Sequence, residues 1–146
     1  GNHAVVKLYE HLAYLVEHFD NERFAFVFVF AVNCGESLDS LLAQDLPAQE
    51  FEIICVNDGS RDNTAEAAEK YCRMYPGSVR LISQENKGHG GALNTGCAAA
   101  VGKYLKVIDA DDWVITENLP AFVAQLRDCS ADVVLTHYRT VDFSTV

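Results

Sequence analysis

Residues 51–64 read FEIICVNDGSRDNT, a short apolar run that ends in a polar turn. The run over 51–56 has the length of a buried strand, and the amphipathic stretch over 64–74 has helical spacing. Asn63, with Glu66 three residues later, has the spacing of a capping box and predicts that the helix begins here. A strand followed directly by a helix is half of a crossover unit of a parallel sheet.

The same alternation of strand and helix extends along most of the chain. Further strands are predicted over 24–32, 79–83, 104–108 and 133–136, and further helices over 37–44, 91–101 and 117–127. This order is typical of right-handed crossovers with helices on both faces of a sheet. The sequence therefore predicts an α/β fold with a mostly parallel central sheet in one domain over 24–146. Before it, apolar residues at helical spacing predict a helical extension over 1–23.

Composition narrows the class of protein. The 146 residues contain 11 Lys and Arg against 21 Asp and Glu, a formal charge of -10, which argues against nucleic acid as a main partner. The five cysteines form no CxxC pair, so neither a disulfide framework nor a zinc knuckle is indicated. We therefore expect a cytoplasmic protein. The apolar stretch over 24–32 is too short to cross a bilayer.

Polar residues follow each of the first four predicted strands. In an open parallel sheet, ligands bind beyond the carboxyl ends of the strands, so these residues are the first candidates for a site. They are Asn33 after the first strand, residues 57–60 after the second, 84–91 after the third and 109–112 after the fourth.

Three carboxylates, those of Asp109, Asp111 and Asp112, lie within four residues behind the fourth strand. Like charges this close repel each other unless a cation lies between them. Oxygen ligands suit Mg²⁺ or Mn²⁺, which keep open positions for phosphate oxygens. The alternative is a solvated turn that caps the next helix.

Two other loops have a functional and a structural interpretation. Asn57 or Asp58 can present an acceptor to a base N–H or a ribose hydroxyl, or residues 57–60 can form only a turn. In residues 86–91, three glycines permit close backbone approach while Lys87 and His89 add positive charge, which favours a phosphate. The alternative is a hairpin-like loop before a helix. Neither a GxGxxG fingerprint nor a P-loop is present.

Three ordered motifs resemble those of the family 2 glycosyltransferases of the GT-A fold. They are FEIICVNDGSRDNT over 51–64, ENKGHGGALNTG over 85–96 and GKYLKVIDADDWV over 102–114. The resemblance covers roughly residues 24–136 and implies a Rossmann-like α/β/α sandwich that binds a nucleotide sugar. It further implies transfer of the sugar from a nucleoside diphosphate donor, commonly UDP-linked, to an acceptor hydroxyl, with inversion at the anomeric carbon.

The resemblance also implies roles for individual residues. Residues 109–111 resemble the DxD motif of the family, so that Asp111 coordinates Mn²⁺ or Mg²⁺ directly. Asp109 contacts the ribose or the metal through water, and Asp112 assists weakly. The implied nucleotide-sugar contacts are Val32, Asn33, Asn57, Asp58, Lys87, Gly88, Asn94, Asp109 and Ala110. Two positions depart from the family pattern: residues 31–33 replace part of a Pro-x-Tyr-Asn motif, and Asn57 replaces the Asp that usually accepts the base N3–H.

Members of this family place the acceptor site and the general base after the DxD strand. We therefore expect that this chain is truncated before that half, that the base lies beyond Val146, and that the fragment binds donor and metal without useful transfer. The sequence does not decide whether the acceptor is a carbohydrate, a lipid or a protein. It also does not decide whether the parent protein associates with a membrane. An alternative is a non-catalytic nucleotide-sugar-binding or scaffold module. A sugar-phosphate nucleotidyltransferase is disfavoured because residues 33–37 lack a basic, glycine-rich loop.

Overall fold

The computed structural model describes residues 24–30, 35–109 and 112–137. The helical extension predicted over 1–23 lies outside these ranges. The strands are β1 (Phe24–Phe30), β2 (Phe51–Asp58), β3 (Val79–Gln84) and β4 (Tyr104–Asp109). The α-helices are α1 (Gly35–Leu42), α2 (Thr64–Met74), α3 (Gly88–Ala99) and α4 (Leu119–Arg127), with a 3₁₀ turn at Thr116–Asn118.

The four strands form one parallel sheet in the order β3-β2-β1-β4. Phe24 of β1 pairs with Phe51 on one side and with Tyr104 on the other, so the central strands begin level with each other. The strand order reverses between β1 and β4. A reversal of this kind opens a crevice at the carboxyl ends of the strands, where α/β proteins bind ligands. The α/β class and the parallel sheet are confirmed.

Two apolar cores lie on opposite faces of the sheet. Ile53 and Cys55 of β2 point into the larger core, while Ile54 and Val56 point into the smaller one. All four are fully buried, as expected for a parallel strand covered on both faces. Helices α1, α2 and α4 contribute Leu38, Leu41, Ala68, Leu119, Val123 and Leu126 to the larger core. Helix α3 contributes Ala92 to the smaller core, so the prediction of helices on both faces is confirmed.

The strand predicted over 133–136 is wrong, because the structure assigns no strand to these residues. Val133 is 63% exposed and Leu135 is 91% exposed. The segment contacts β4 through side chains instead, with Lys106 Nζ donating to Thr136 Oγ1 at 3.3 Å. An apolar run of strand length forms a strand only where its backbone finds a partner.

The start of α2 is confirmed at Thr64, but the predicted cap is not. Asn63 makes no side-chain capping bond. The Asp62 carboxylate accepts the Thr64 backbone N–H at 3.0 Å instead. Hydrogen bonds from the Thr64 hydroxyl and then from its backbone N–H lower the pKa of Asp62. A carboxylate one residue earlier therefore satisfies an unpaired N–H of the first turn.

Several other boundaries differ by a few residues from the sequence pattern. Helix α3 begins at Gly88, three residues before its predicted start, so residues 88–91 form its first turn and the alternative of a hairpin-like loop over 86–91 is wrong. Helix α1 begins at Gly35 and ends at Leu42. In α4 a 3₁₀ turn comes first, and Pro120 follows in the first turn of the α-helix. Among the helices within the described ranges, none is both long enough and apolar enough to span a bilayer.

Candidate functional site

Two carboxylates end strands on either side of β1. Asp58 is the last residue of β2, and Asp109 is the last residue of β4. Because the three strands are parallel, both residues lie at the carboxyl edge of the sheet, next to the reversal of strand order. Asp109 is exposed and Asp58 is partly exposed. Both are therefore open to a ligand at the crevice.

Asp58 is held by two hydrogen bonds to one oxygen. Its Oδ1 accepts from Gln84 Nε2 at 2.7 Å and from the Lys87 backbone N–H at 2.8 Å. These bonds, from the Gln84 side chain first and the Lys87 backbone second, lower the pKa of Asp58. Hydrogen bonds to the charged form favour ionisation. Asp58 is therefore an oriented carboxylate that is ionised at neutral pH.

Gln84 is itself oriented by α3. Thr95 Oγ1 donates to Gln84 Oε1 at 2.5 Å, which turns the Gln84 amide nitrogen toward Asp58. The chain Thr95–Gln84–Asp58 thus ties α3 to the ends of β3 and β2. Sequence reasoning placed Gln84 only among the polar residues after the third strand and missed Thr95, since neither belongs to a local pattern with Asp58.

The first turn of α3 lies between the two carboxylates. The Lys87 backbone N–H binds Asp58, and His89 Nε2 lies 3.8 Å from Asp109 Oδ1. Gly88 has φ +74°, a conformation that glycine adopts without steric cost. The Asn86 side-chain oxygen accepts the Gly88 N–H at 3.1 Å. The glycine-rich motif therefore brings a helix start, rather than a hairpin, to the edge of the sheet.

The turn after β2 packs against this segment. Gly59 has φ +77°, and a Cβ built on it would lie 3.0 Å from the Asn86 backbone nitrogen. This distance is shorter than ordinary contacts, so a side chain here would push the two loops apart. Glycine adopts such a positive φ without steric cost, which agrees with the interpretation of residues 57–60 as a turn.

Asn57 has its amide engaged inside the protein. Its Oδ1 accepts the Ser60 backbone N–H at 2.9 Å, and its Nδ2 donates to Ser83 Oγ at 3.4 Å. The residue is only 7% exposed. These contacts agree with the structural interpretation of the turn, and donor contact by Asn57 stays a prediction.

The acidic motif is described at its two ends. Asp109 and Asp112 are both exposed, and the Asp112 backbone N–H donates to the Asp109 carbonyl at 3.0 Å, which closes a tight turn. Ala110 and Asp111 lie outside the described residues, as do Val32 and Asn33. Carboxylate oxygens at this turn suit a hard cation such as Mg²⁺ or Mn²⁺. Within the described ranges, no three Asp, Glu, His or Cys side chains group closely enough to hold a metal.

The described site residues are placed as follows. Asp58, Lys87, Gly88 and Asp109 come together at the carboxyl edge, joined by the contacts above. Lys87 and Gly88 are exposed. Asn94 lies further along α3 and is also exposed. The arrangement therefore combines the oriented carboxylate of Asp58, the N-terminus of α3 beside the basic residue Lys87, and the carboxylate of Asp109 at a tight turn.

This combination agrees with the match to a family model. Residues 27–145 match the model described as Glycosyl transferase family 2. The chain belongs to this family. Glycosyltransferase GlyG of Streptococcus pneumoniae is a relative, 36% identical over 110 residues, which are 75% of this chain and 36% of GlyG. The family 2 chain thus spans about a third of the length of this relative.

Solved structures show that this family 2 chain has the GT-A fold. Staphylococcus aureus TarS 1-349, in complex with UDP-GlcNAc, matches with a TM-score of 0.63 at 29% identity, covering 70% of this chain and 30% of that one. Mannosyltransferase PcManGT from Pyrobaculum calidifontis, in complex with GDP-Man and Mn²⁺, has a TM-score of 0.63 at 21% identity. This match covers 85% of this chain and 39% of the PcManGT chain, and at this identity it supports the fold alone.

Proposed function

We propose that this chain is the donor-binding part of a glycosyltransferase that moves a sugar from a UDP-linked donor to an acceptor hydroxyl with inversion. The observation that carries the proposal is that the N-terminal end of α3 reaches both strand-end carboxylates. The backbone N–H of Lys87, just before the helix, donates to Asp58, and His89 Nε2 in the first turn lies 3.8 Å from Asp109 Oδ1. Family membership and the UDP-GlcNAc in the TarS structure support the donor class.

Asp58 is our choice for the contact with the base or the ribose. A carboxylate offers about four acceptor positions. Two hydrogen bonds to Oδ1 orient Asp58 and leave acceptor capacity for a ligand N–H or hydroxyl. Asn57 is buried and bonded within its turn, so we assign it to holding the turn that presents Asp58.

The start of α3 is our choice for the diphosphate. The N-terminus of a helix carries a partial positive charge and attracts phosphate oxygens. Exposed Lys87 and Gly88 lie at this end of the 12-residue helix, beside the carboxyl edge of the sheet. In a chain with a formal charge of -10, this local positive field offsets the repulsion of an anionic ligand.

Asp111 is our choice for the direct metal ligand, with Asp109 contacting the ribose or the metal through water and Asp112 assisting. The oxygen-only donor set fits Mn²⁺ or Mg²⁺. A divalent cation held there supplies charge neutralisation for the departing nucleoside diphosphate. Inversion also requires a base for the acceptor proton. We assign that base to a part of the parent protein outside this chain, since the chain covers 36% of GlyG.

Calorimetric titration of the chain with UDP-GlcNAc, in Mn²⁺ and then in EDTA, tests the proposal. We expect binding in Mn²⁺ that weakens in EDTA, because an uncompensated diphosphate would face several carboxylates of like charge. Asp109→Asn and Asp58→Asn should each weaken binding in Mn²⁺. Asp128→Asn is the matched control, because Asp128 is exposed and adjoins Cys129, whose carbonyl binds Tyr104 at the opposite end of β4. Absence of binding, or equal binding by all variants, would contradict the proposal.

A further inference from the structure

We infer that Ser40 and Thr116 are positioning residues that fix the acidic loop for its cation. This inference rests on the proposed function. Ser40 lies on α1, and its Oγ accepts the Val114 backbone N–H at 3.2 Å. Thr116 Oγ1 donates to the Ser40 carbonyl at 2.7 Å. A single residue of α1 thus binds the loop after β4 at two points.

The Ser40 hydroxyl is oriented for this task. Its own hydrogen is donated to the Ser37 carbonyl at 2.7 Å, so its lone pairs face outward to accept from Val114. Ser37, one helical turn earlier, donates its hydroxyl to the Asp112 carbonyl. Helix α1 therefore contacts alternate residues of the loop at 112, 114 and 116.

These contacts bracket the acidic motif between two fixed elements. Asp109 ends β4, whose residues pair in register with β1, and the Asp112 N–H returns to the Asp109 carbonyl. On the other side, α1 is anchored in the core by Leu38 and Leu41, which are 0% and 1% exposed. Carboxylates of like charge repel when no cation is bound. Anchors on both sides restrain the backbone at Asp109 and Asp112 and so reduce the reorganisation that cation binding requires.

Two variants remove these anchors without touching an acidic residue. Ser40→Ala removes the acceptor for Val114, and Thr116→Val removes the donor to the Ser40 carbonyl while keeping the shape of the side chain. Thr116→Ser keeps the hydroxyl and serves as the conservative partner. Ser78→Ala is the control, because the Oγ of Ser78, like that of Ser40, donates to a backbone carbonyl, that of Ala48 at 3.1 Å, just before β3 begins.

Calorimetry with UDP, in Mn²⁺ and in EDTA, provides the readout, together with amide exchange at Val114 in the ligand-free chain. We expect Ser40→Ala and Thr116→Val to weaken Mn²⁺-dependent UDP binding by up to about tenfold, the lower limit for direct outer-shell partners, because both residues bind the loop rather than a metal ligand itself. The UDP affinity of these two variants in EDTA should equal that of the unaltered chain. In Mn²⁺, Thr116→Ser and Ser78→Ala should bind UDP with the affinity of the unaltered chain. Val114 should exchange faster in Ser40→Ala.

The outcomes separate this inference from the proposed function. Unchanged Mn²⁺-dependent binding in both Ser40→Ala and Thr116→Val would overturn the inference and leave the proposed function in place. Equal losses in Mn²⁺ and EDTA would show general loosening rather than positioning, and would also overturn it. Equal UDP affinity of the unaltered chain in Mn²⁺ and in EDTA would overturn the proposed function and the inference together. If Ser40→Ala fails to fold, the Thr116→Val and Thr116→Ser pair decides.

Discussion

Glu52 Oε1 accepts the backbone N–H of Gly102 at 2.9 Å across the amino edge of the sheet. The same oxygen accepts the Val101 N–H at 2.6 Å, and Oε2 lies 3.0 Å from Arg80 Nη2. Glu52 is only 4% exposed although it belongs to an apolar strand. One buried carboxylate therefore satisfies the turn that connects α3 to β4, and so fixes where β4 begins.

Glu52→Ala should destabilise the fold. The substitution leaves the Val101 and Gly102 N–H groups without their acceptor, while Arg80 keeps its hydrogen bond to the Ala99 carbonyl. Gly102 is buried, and an unsatisfied buried donor costs about 1–3 kcal/mol, so we expect a loss of about that size in the free energy of unfolding. Urea unfolding monitored by circular dichroism measures this loss.

Glu69→Ala is the control for Glu52→Ala. Glu69 lies 3.7 Å from Arg73 in an exposed pair on α2. Exposed pairs of this kind contribute little, so its free energy of unfolding should change by less than about 1 kcal/mol. Equal effects of the two substitutions would show that the buried contacts of Glu52 do not stabilise the fold.

Most of the architecture could be predicted because it follows from periodicity. Apart from Glu52, the run over 51–56 is apolar on both faces, which is what a central parallel strand requires, and β2 begins at Phe51 as expected. Helix α2 spans Thr64–Met74, the range that its helical spacing predicts. These patterns are local and are set by which faces of an element are buried.

The contacts that orient the site could not be predicted in this way. Gln84 and Asp58 are 26 positions apart, and Ser40 and Thr116 are 76 positions apart. Such pairs meet only after the strand order is fixed, so no spacing in the sequence reveals them. The error at 133–136 has the same origin, because a strand needs a partner as well as an apolar pattern.

Acid titration should reveal the ionised state of Asp58. Its pKa in the folded chain is below 3.8, the ordinary value, chiefly because of the hydrogen bond from Gln84. A carboxyl with a depressed folded-state pKa stabilises the fold fully above the unfolded-state value. That contribution is lost as the pH falls from 3.8 through the folded-state pKa. Asp58→Asn should therefore lower stability at neutral pH and flatten the fall in stability on acidification.

Melting temperatures measured between about pH 2 and pH 6 test this expectation. Gln84→Leu removes the first cause of the shift, so the carboxyl resonance of Asp58 should titrate closer to 3.8 in that variant. Asp62→Asn provides a comparison, since the pKa of Asp62 is also lowered but by Thr64 at the start of α2. If the melting temperature fell with decreasing pH identically in Asp58→Asn and in the unaltered chain, the lowered pKa of Asp58 would be contradicted.

Gly59→Ala should separate the turn after β2 from the loop before α3. Gly59 has φ +77° and a Cβ there meets the Asn86 nitrogen at 3.0 Å, so the variant suffers both backbone strain and a steric clash. Gly77→Ala is the matched control, because Gly77 has φ +85° but no described atom lies within 4 Å of an added Cβ. Strain alone should cost about 1–2 kcal/mol in the free energy of unfolding of Gly77→Ala.

The comparison of these two glycine variants isolates the contact between the loops. Gly59→Ala should lose more stability than Gly77→Ala, since Asn86 and its neighbours must shift to make room. It should also weaken UDP-GlcNAc binding, because the same shift moves the Lys87 N–H relative to Asp58. Gly77→Ala should bind the donor like the unaltered chain. Equal donor affinity in the two variants would mean that the distance between the loops does not set the geometry of the site.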